Sequence, residues 1–190
     1  MHQCFASLEE TGSNRDLVED IIFSQWSELN RLNFQGFYTA ILERSGEVVT
    51  VATLRVHGEK VAEIPLIATL FKHRKLGMCR ALMNQLEKKL AELGVQRLVL
   101  PALPDAMNTW TGSFGFSVMN KAERQGFLDN TFLNFNGTIM CQKLLQSQKE
   151  NDEPTDSEAF LPVEEVELSG LFYLEKGGFF SDFDEVKGDI

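Results

Sequence analysis

Cysteine is scarce and scattered. Cys4, Cys79 and Cys141 are the three in 190 residues; odd in number, far apart and without a CxxC spacing or a paired histidine, they offer neither a disulfide framework nor a structural metal site. A reducing, intracellular compartment is the expectation. Long hydrophobic runs are missing too: no segment reaches the roughly 18 apolar residues of a membrane span. The N-terminal Met-His-Gln-Cys-Phe-Ala-Ser-Leu lacks the basic start and apolar stretch of a signal peptide. No membrane partner is expected, and nothing signals direct nucleic-acid binding. Positive charge is short overall, with a net charge of −10, but the shortage is local. Residues 146–190 hold 13 acidic and 3 basic side chains, which leaves 15 of each in residues 1–145. A neutral body with an acidic tail says nothing against any particular substrate.

What is present alternates between strand and helix patterns. Leu17, Val18, Ile21, Ile22 and Trp26 lie at helical spacing over residues 16–29, with Asn14 as a cap. Residues 37–44 and 48–56 are strands joined at Ser45-Gly46, and His57-Gly-Glu-Lys60 turns the chain into a third strand ending near Thr69. A helix over 77–93 follows, closed by Gly94, and leads into strand 95–101, so the strands on either side of the helix run parallel. Asp105 caps a second helix reaching Ser113; residues 114–118 and 138–143 are the closing strands. This is an α/β (α+β) arrangement with a mixed central sheet and flanking helices, and it has no internal repeat.

The most informative stretch is 71–82, Phe-Lys-His-Arg-Lys-Leu-Gly-Met-Cys-Arg-Ala-Leu. It joins the apolar run 64–69 to a helix whose Met78, Leu82, Leu86 and Leu90 recur every four residues. A helix start carries unpaired N–H groups and the positive end of the macrodipole, and Gly77 lets a phosphate approach the backbone. The ligand such a loop suits carries a pyrophosphate. The same residues also fit a solvated basic turn at the head of a core helix.

Arg74-x-x-Gly77-x-Cys79 resembles the Arg/Gln-x-x-Gly-x-Gly/Ala signature of the GNAT superfamily of acyl-CoA N-acyltransferases, with Cys79 departing from it. Over residues 1–145 the element order is also the GNAT order. The chain is closer still to the acyltransferase domain at the C-terminal end of plant PHD-finger proteins of the Increased-DNA-Methylation type. That likeness rests on Asn33-Phe-Gln-Gly-Phe-Tyr-Thr39, Arg55-Val-His-Gly58, Val61-Ala-Glu-Ile-Pro-Leu66, His73-Arg-Lys-Leu-Gly-Met-Cys-Arg80, Leu103-Pro104, Trp110-Thr111, Gly115-Phe116 and Gly137-Thr138. The PHD zinc ligands of such proteins are not in this sequence.

The resemblance implies a GNAT fold with a splayed parallel strand pair and acetyl-CoA as cosubstrate, held by Ile67, Ala68 and Thr69 and by the loop residues Arg74, Lys75, Leu76, Gly77, Met78, Cys79 and Arg80. It implies a nuclear protein acting on a histone or other protein lysine, with a possible chromatin-associated complex as partner. Glu63 is the candidate base: a carboxylate inside an apolar strand is costly without a purpose or a partner. Ala62-Glu63-Ile64 lies 14 residues before Gly77, and it resembles the Ala-Glu-Ile of GNAT histone acetyltransferases, whose glutamate is the general base. The plain alternative is a carboxylate on a wet strand face, paired with Arg55 or Lys60. Pro65 cannot donate to a ladder, which fits a strand parting from its neighbour; an ordinary bulge or edge strand fits it too.

Many GNAT enzymes carry a tyrosine five residues before the Phe of the Gly-Phe pair, where this chain has Thr111. Threonine is too weak an acid and too short to replace it. Trp110 reads as core rather than coenzyme wall, His57 and His73 as a turn and a loop residue. Cys79 sits where a thiolate is favoured electrostatically, without a paired base. Residues 146–190 read as an acidic, disordered tail whose Phe160-Leu161, Leu171-Phe172-Tyr173 and Phe179-Phe180 either dock on a partner, fold back on the sheet or do neither. The expected activity is direct acetyl transfer to protein lysine. Alternatives are a small-amine acetyltransferase and a catalytically weak acetyl-CoA-binding scaffold.

Overall fold

The computed structural model describes residues 16–27, 33–145 and 170–176. Its spine is β1 (Phe37–Arg44) and β2 (Glu47–His57), an antiparallel hairpin closed at Ser45 and Gly46. Both turn residues have positive φ, 53° and 76°. That conformation matches the strands' right-handed twist and suits glycine. The expected third strand is two: β3 (Val61–Glu63) and β4 (Ile67–Thr69), interrupted at 64–66. Both pair with β2, but only β3 also pairs, in parallel, with β5 (Arg97–Ala102). Pro65 lies in the interruption, where a ladder N–H would be needed and proline has none.

The helix after the loop, Met78–Glu92, has its five buried residues, Met78, Leu82, Met83, Leu86 and Leu90, on one stripe. They pack on Ala52, Leu54, Ala62, Leu98 and Leu100 of the sheet. Each buried Leu contributes about 1.5–3 kcal/mol. We number this helix α2, after α1 (Leu17–Ile22), which covers the opposite sheet face through Val18 and Ile21 on Phe37 and Leu66. The alternation of strand side chains separates these two cores. None of the helices among the described residues is long and apolar enough to cross a membrane.

Three expectations change. α1 ends at Ile22, not near residue 29, and its cap is Asp16, whose Oδ1 accepts from Val18 and Glu19 N–H at 3.0 and 3.2 Å. Ser24 breaks it: the backbone turns left-handed (φ 52°) and the hydroxyl bridges Phe34 O and Phe37 N–H. Trp26 is left 59 % exposed. Instead of a second regular helix capped by Asp105, the chain makes a 3-10 turn at Pro104–Ala106 and a wide π-turn at Thr109–Ser113, with no side-chain cap. Trp110 in that turn packs against Phe114 with the rings tilted by 43° and meets Phe116 edge-on. Of the strand expected over 114–118, only β6 (Ser117–Val118) pairs, because Gly115 has φ +73°.

An unanticipated helix, α3 (Lys121–Gln125), opens with an Asn120/Glu123 capping box. β7 (Ile139–Leu144) joins β5 and β6, giving the order β6-β7-β5-β3-β2-β1. A further strand, β8 (Gly170–Lys176), then adds antiparallel to the outer edge of β1 from Tyr38↔Lys176 to Arg44↔Gly170. Of the alternatives for Leu171-Phe172-Tyr173 this is the fold-back on the sheet: the free edge of β1 supplies the backbone partners of residues 170–176. The rest of that segment, with Phe160-Leu161 and Phe179-Phe180, lies outside the described residues, as does Asn14.

Candidate active site

β4 hands the chain through a 3-10 turn (Phe71–His73) to Gly77, which caps α2 in the left-handed region (φ +80°) without any side-chain hydrogen bond. A Cβ at Gly77 would meet nothing within 4 Å. The space before the helix is therefore open, and backbone conformation is what calls for glycine here. The first intrahelical bond is Ala81 N–H to Gly77 O at 2.9 Å. The amides ahead of Ala81 are those a helix start leaves without internal partners, at the positive end of its dipole.

Not all the basic loop serves that space. Lys72 and His73 are bonded to Glu47 at 2.7 and 3.3 Å, and their hydrogen bonds hold the Glu47 carboxyl below its usual range. Arg74 folds back, donating from Nε to Thr69 O at 3.2 Å with its guanidinium 4.1 Å from the exposed Phe71 ring. Lys75 and Leu76 are exposed. Met78 is core, so only its backbone faces the loop. Arg80 donates to Ser113 O at 2.9 Å and lies over Phe114, tying α2 to the π-turn.

Ile64 N–H still reaches Val99 O at 2.9 Å; past Pro65 the pairing stops and β4 leaves β5. A cavity of about 360 Å³ lies beside β4. Ile67, Ala68, Thr69, Arg74 and Cys79 line it, so the structure brings five sequence-predicted residues together. The remaining wall is Ala106, Thr109, Trp110 and Phe114. Trp110 is thus core and cavity wall at once, 8 % exposed; its spacing of four from Phe114 was the available signal. Burial pushes the Cys79 thiol up to about 11, outweighing the Arg80 charge that pulls the other way, so the electrostatic expectation of a thiolate is corrected. Thr111 does not line the cavity; its hydroxyl donates to Met107 O at 2.9 Å.

Glu63 lies where β3 ends, 1 % exposed. Oε1 accepts from Arg55 Nε at 2.7 Å and lies 2.6 Å from Nη2, with His57 Nε2 at 3.0 Å; Oε2 accepts from Leu133 N–H at 2.8 Å. The Arg55 partner is the one considered from sequence, but the strand face is dry. Lys60 goes elsewhere, to Gly126 O at 2.9 Å. His57 is no mere turn residue: it closes β2 against the carboxylate. Arg55 Nη2 also donates to Thr131 O at 2.6 Å. The pair thereby latches backbone at 131 and 133, while Asn130, Phe132 and Asn134 between and beside them line a second cavity of about 240 Å³. Glu63 lines neither cavity.

The open helix start, a glycine with free space at its Cβ and a cavity between β4 and the segment 106–114 fit a coenzyme carrying a pyrophosphate and a slender arm. Among the described residues no three or more His, Cys, Asp or Glu gather as a metal site.

The family described as "Increased DNA methylation 1, C-terminal domain" matches residues 5–144. "Increased DNA methylation 1" of Arabidopsis thaliana is 35% identical over 173 residues, 85% of this chain and 15% of that protein. The chain therefore spans about one seventh of the length of this relative. Gcn5 of Tetrahymena superposes with a TM-score of 0.55 at 16% identity, over 76% of this chain and 97% of that one. A protein assigned as an N-acetyltransferase of Lactobacillus plantarum does so at 0.50 and 18% identity, over 73% and 83%. These superpositions show the fold, and the fold is that of the GNAT acetyltransferases.

Proposed function

Since the chain belongs to the Increased DNA methylation 1 C-terminal domain family, we propose that it is an acetyl-CoA-dependent N-acetyltransferase acting on protein lysine, a histone by resemblance, within the nucleus and a chromatin-associated complex. The observation that carries the reading is the cavity lined by Ile67, Ala68, Thr69, Arg74 and Cys79 at the open start of α2. Acetyl-CoA supplies an acetyl thioester there. The chain's residues do the rest. The Gly77 loop and Arg74 bind the anionic end, β4 aligns the arm, and Trp110 and Phe114 shield the cavity from water.

Glu63 takes the proton of the acceptor ammonium. Its support is its place at the splay, one residue before the chain leaves β5, together with its burial, which keeps bulk water from competing for the proton.

A second reading is a weak, acetyl-CoA-binding scaffold. It is favoured by Thr111, whose hydroxyl is spent on Met107 O, and by the full set of partners on Glu63. One experiment separates the readings: acetyl-CoA thermal shift on the full chain, followed by transfer assays on histone-tail peptides, polyamines and aminosugars. Stabilisation with peptide acetylation is the expected outcome. Transfer only to small amines overturns the protein-lysine acceptor. Stabilisation without transfer selects the scaffold, and absence of stabilisation removes both.

A further inference from the structure

We propose that Thr50 is a positioning residue for the coenzyme: its hydroxyl fixes Thr69, the β4 residue that both walls the cavity and anchors Arg74. This rests on the acetyl-CoA reading above. Thr50 itself does not line the cavity. It lies inside β2, 0 % exposed, on the face that carries Ala52 and Leu54 into the α2 core. A hydroxyl there is costly unless it is bonded, and valine would suit the same strand position without that cost. The bond it makes is to Thr69, with the two Oγ1 atoms 3.0 Å apart.

The β2–β4 ladder shows what that bond controls. Thr53 N–H donates to Leu66 O and Leu70 N–H to Val49 O, each at 2.9 Å, in the same register that sets Thr50 opposite Thr69. Bonded and non-bonded pairs alternate along an antiparallel ladder, which makes Thr50 and Thr69 a non-hydrogen-bonded pair. In such a pair the side chains approach closely, while each backbone turns its N–H and C=O away from the partner strand. Thr69 is therefore tied to Thr50 through its hydroxyl, and its peptide groups point to the side where β5 has parted and the cavity lies. On that side its carbonyl accepts from Arg74 Nε at 3.2 Å, and the Arg74 side chain lines the same cavity. Loss of the Thr50 hydroxyl lets the Thr69 side chain change rotamer and loosens the end of β4. The buried bond thus preorganises a stretch of cavity wall and a cation together, before any ligand arrives.

The test is calorimetric titration of the full chain with acetyl-CoA. Thr50→Val removes the hydroxyl and keeps the shape, and should weaken binding about 3- to 10-fold, the range of one lost hydrogen bond. Thr50→Ser keeps the hydroxyl and should restore wild-type affinity. Thr69→Val cuts the same bond from its other end, so Thr50→Val should add nothing in that background. Urea midpoints of the unliganded variants separate positioning from plain support, because a structural role alone lowers the midpoint and leaves the affinity of the folded protein unchanged. Wild-type affinity in Thr50→Val, binding by Thr50→Ser as weak as by Thr50→Val, or additive losses in the double variant would each overturn the proposal. Should Thr50→Val not fold, Thr69→Val at the half-buried partner decides: weakened binding supports the role, and wild-type affinity overturns it. A wild-type chain that acetyl-CoA neither binds nor stabilises would instead overturn the acetyl-CoA reading, and the role of Thr50 with it.

Discussion

Arg55 and Glu63 are register partners across the β2–β3 ladder, and their side chains meet at 2.6 Å with 13% and 1% exposure. Arg55 also donates to Thr131 O and Glu63 accepts from Leu133 N–H, so the pair joins two strands to a distant loop. A buried ion pair earns little net stability by itself, but removing one partner leaves the other charged and dry. Glu63→Ala should therefore cost about 3–5 kcal/mol, read by urea denaturation. A loss below 1 kcal/mol would mean the carboxylate is not held as described.

Glu63→Gln keeps one acceptor oxygen, for Arg55 or for Leu133 N–H but not both, and removes the basicity. Turnover should fall by roughly 10²–10⁴ while acetyl-CoA affinity stays the same. Wild-type turnover in this variant rejects Glu63 as the base.

Gly77→Glu places a carboxylate where the helix start favours anions, on a backbone with φ +80° that disfavours any Cβ. Calorimetry should show acetyl-CoA binding abolished, and circular dichroism should show the fold kept, because the added Cβ has open space. Unchanged affinity would place the pyrophosphate elsewhere.

Trp110 lines the cavity, whereas Trp26 is exposed. Acetyl-CoA should change the fluorescence of the wild type and of Trp26→Phe, and leave Trp110→Phe silent. A response surviving in Trp110→Phe would mean that the arm does not run past this wall.

The Cys79 thiol sits at about 11 against an ordinary 9.0. At pH 8 iodoacetamide should label it about 100-fold more slowly than an exposed cysteine. The raised value also fixes a sign: the neutral thiol favours the folded state, so this contribution is complete below pH 9 and is lost as pH rises through 11. Rapid labelling at pH 8 would show the thiol to be open.

Much of this architecture could be read from residues close in sequence. Leu82, Leu86 and Leu90 mark the α2 face because a helix repeats every 3.6 residues, and Ser45-Gly46 marks the hairpin because two positive φ values favour such residues. Pro65 marked the parting of β4 from β5 because it has no N–H to give. The capping box of α3 was equally local, with Asn120 and Glu123 three apart, though it took the structure to single it out. The early end of α1 was harder to see, since Ser24 stops it by bonding Phe34 and Phe37, residues ten and thirteen further on.

The sequence by itself determined the fold family, the loop before α2 and the identity of Glu63 as the residue to explain. Only the tertiary structure decided what surrounds that carboxylate and what closes the cavity. Leu133 lies 70 residues from Glu63, and Trp110 some 40 from β4. Contacts at such separations leave no periodic trace along the chain. They form because the chain parts from β5 at Pro65, leaving Glu63 in a dry latch before that point and a cavity beside β4 after it.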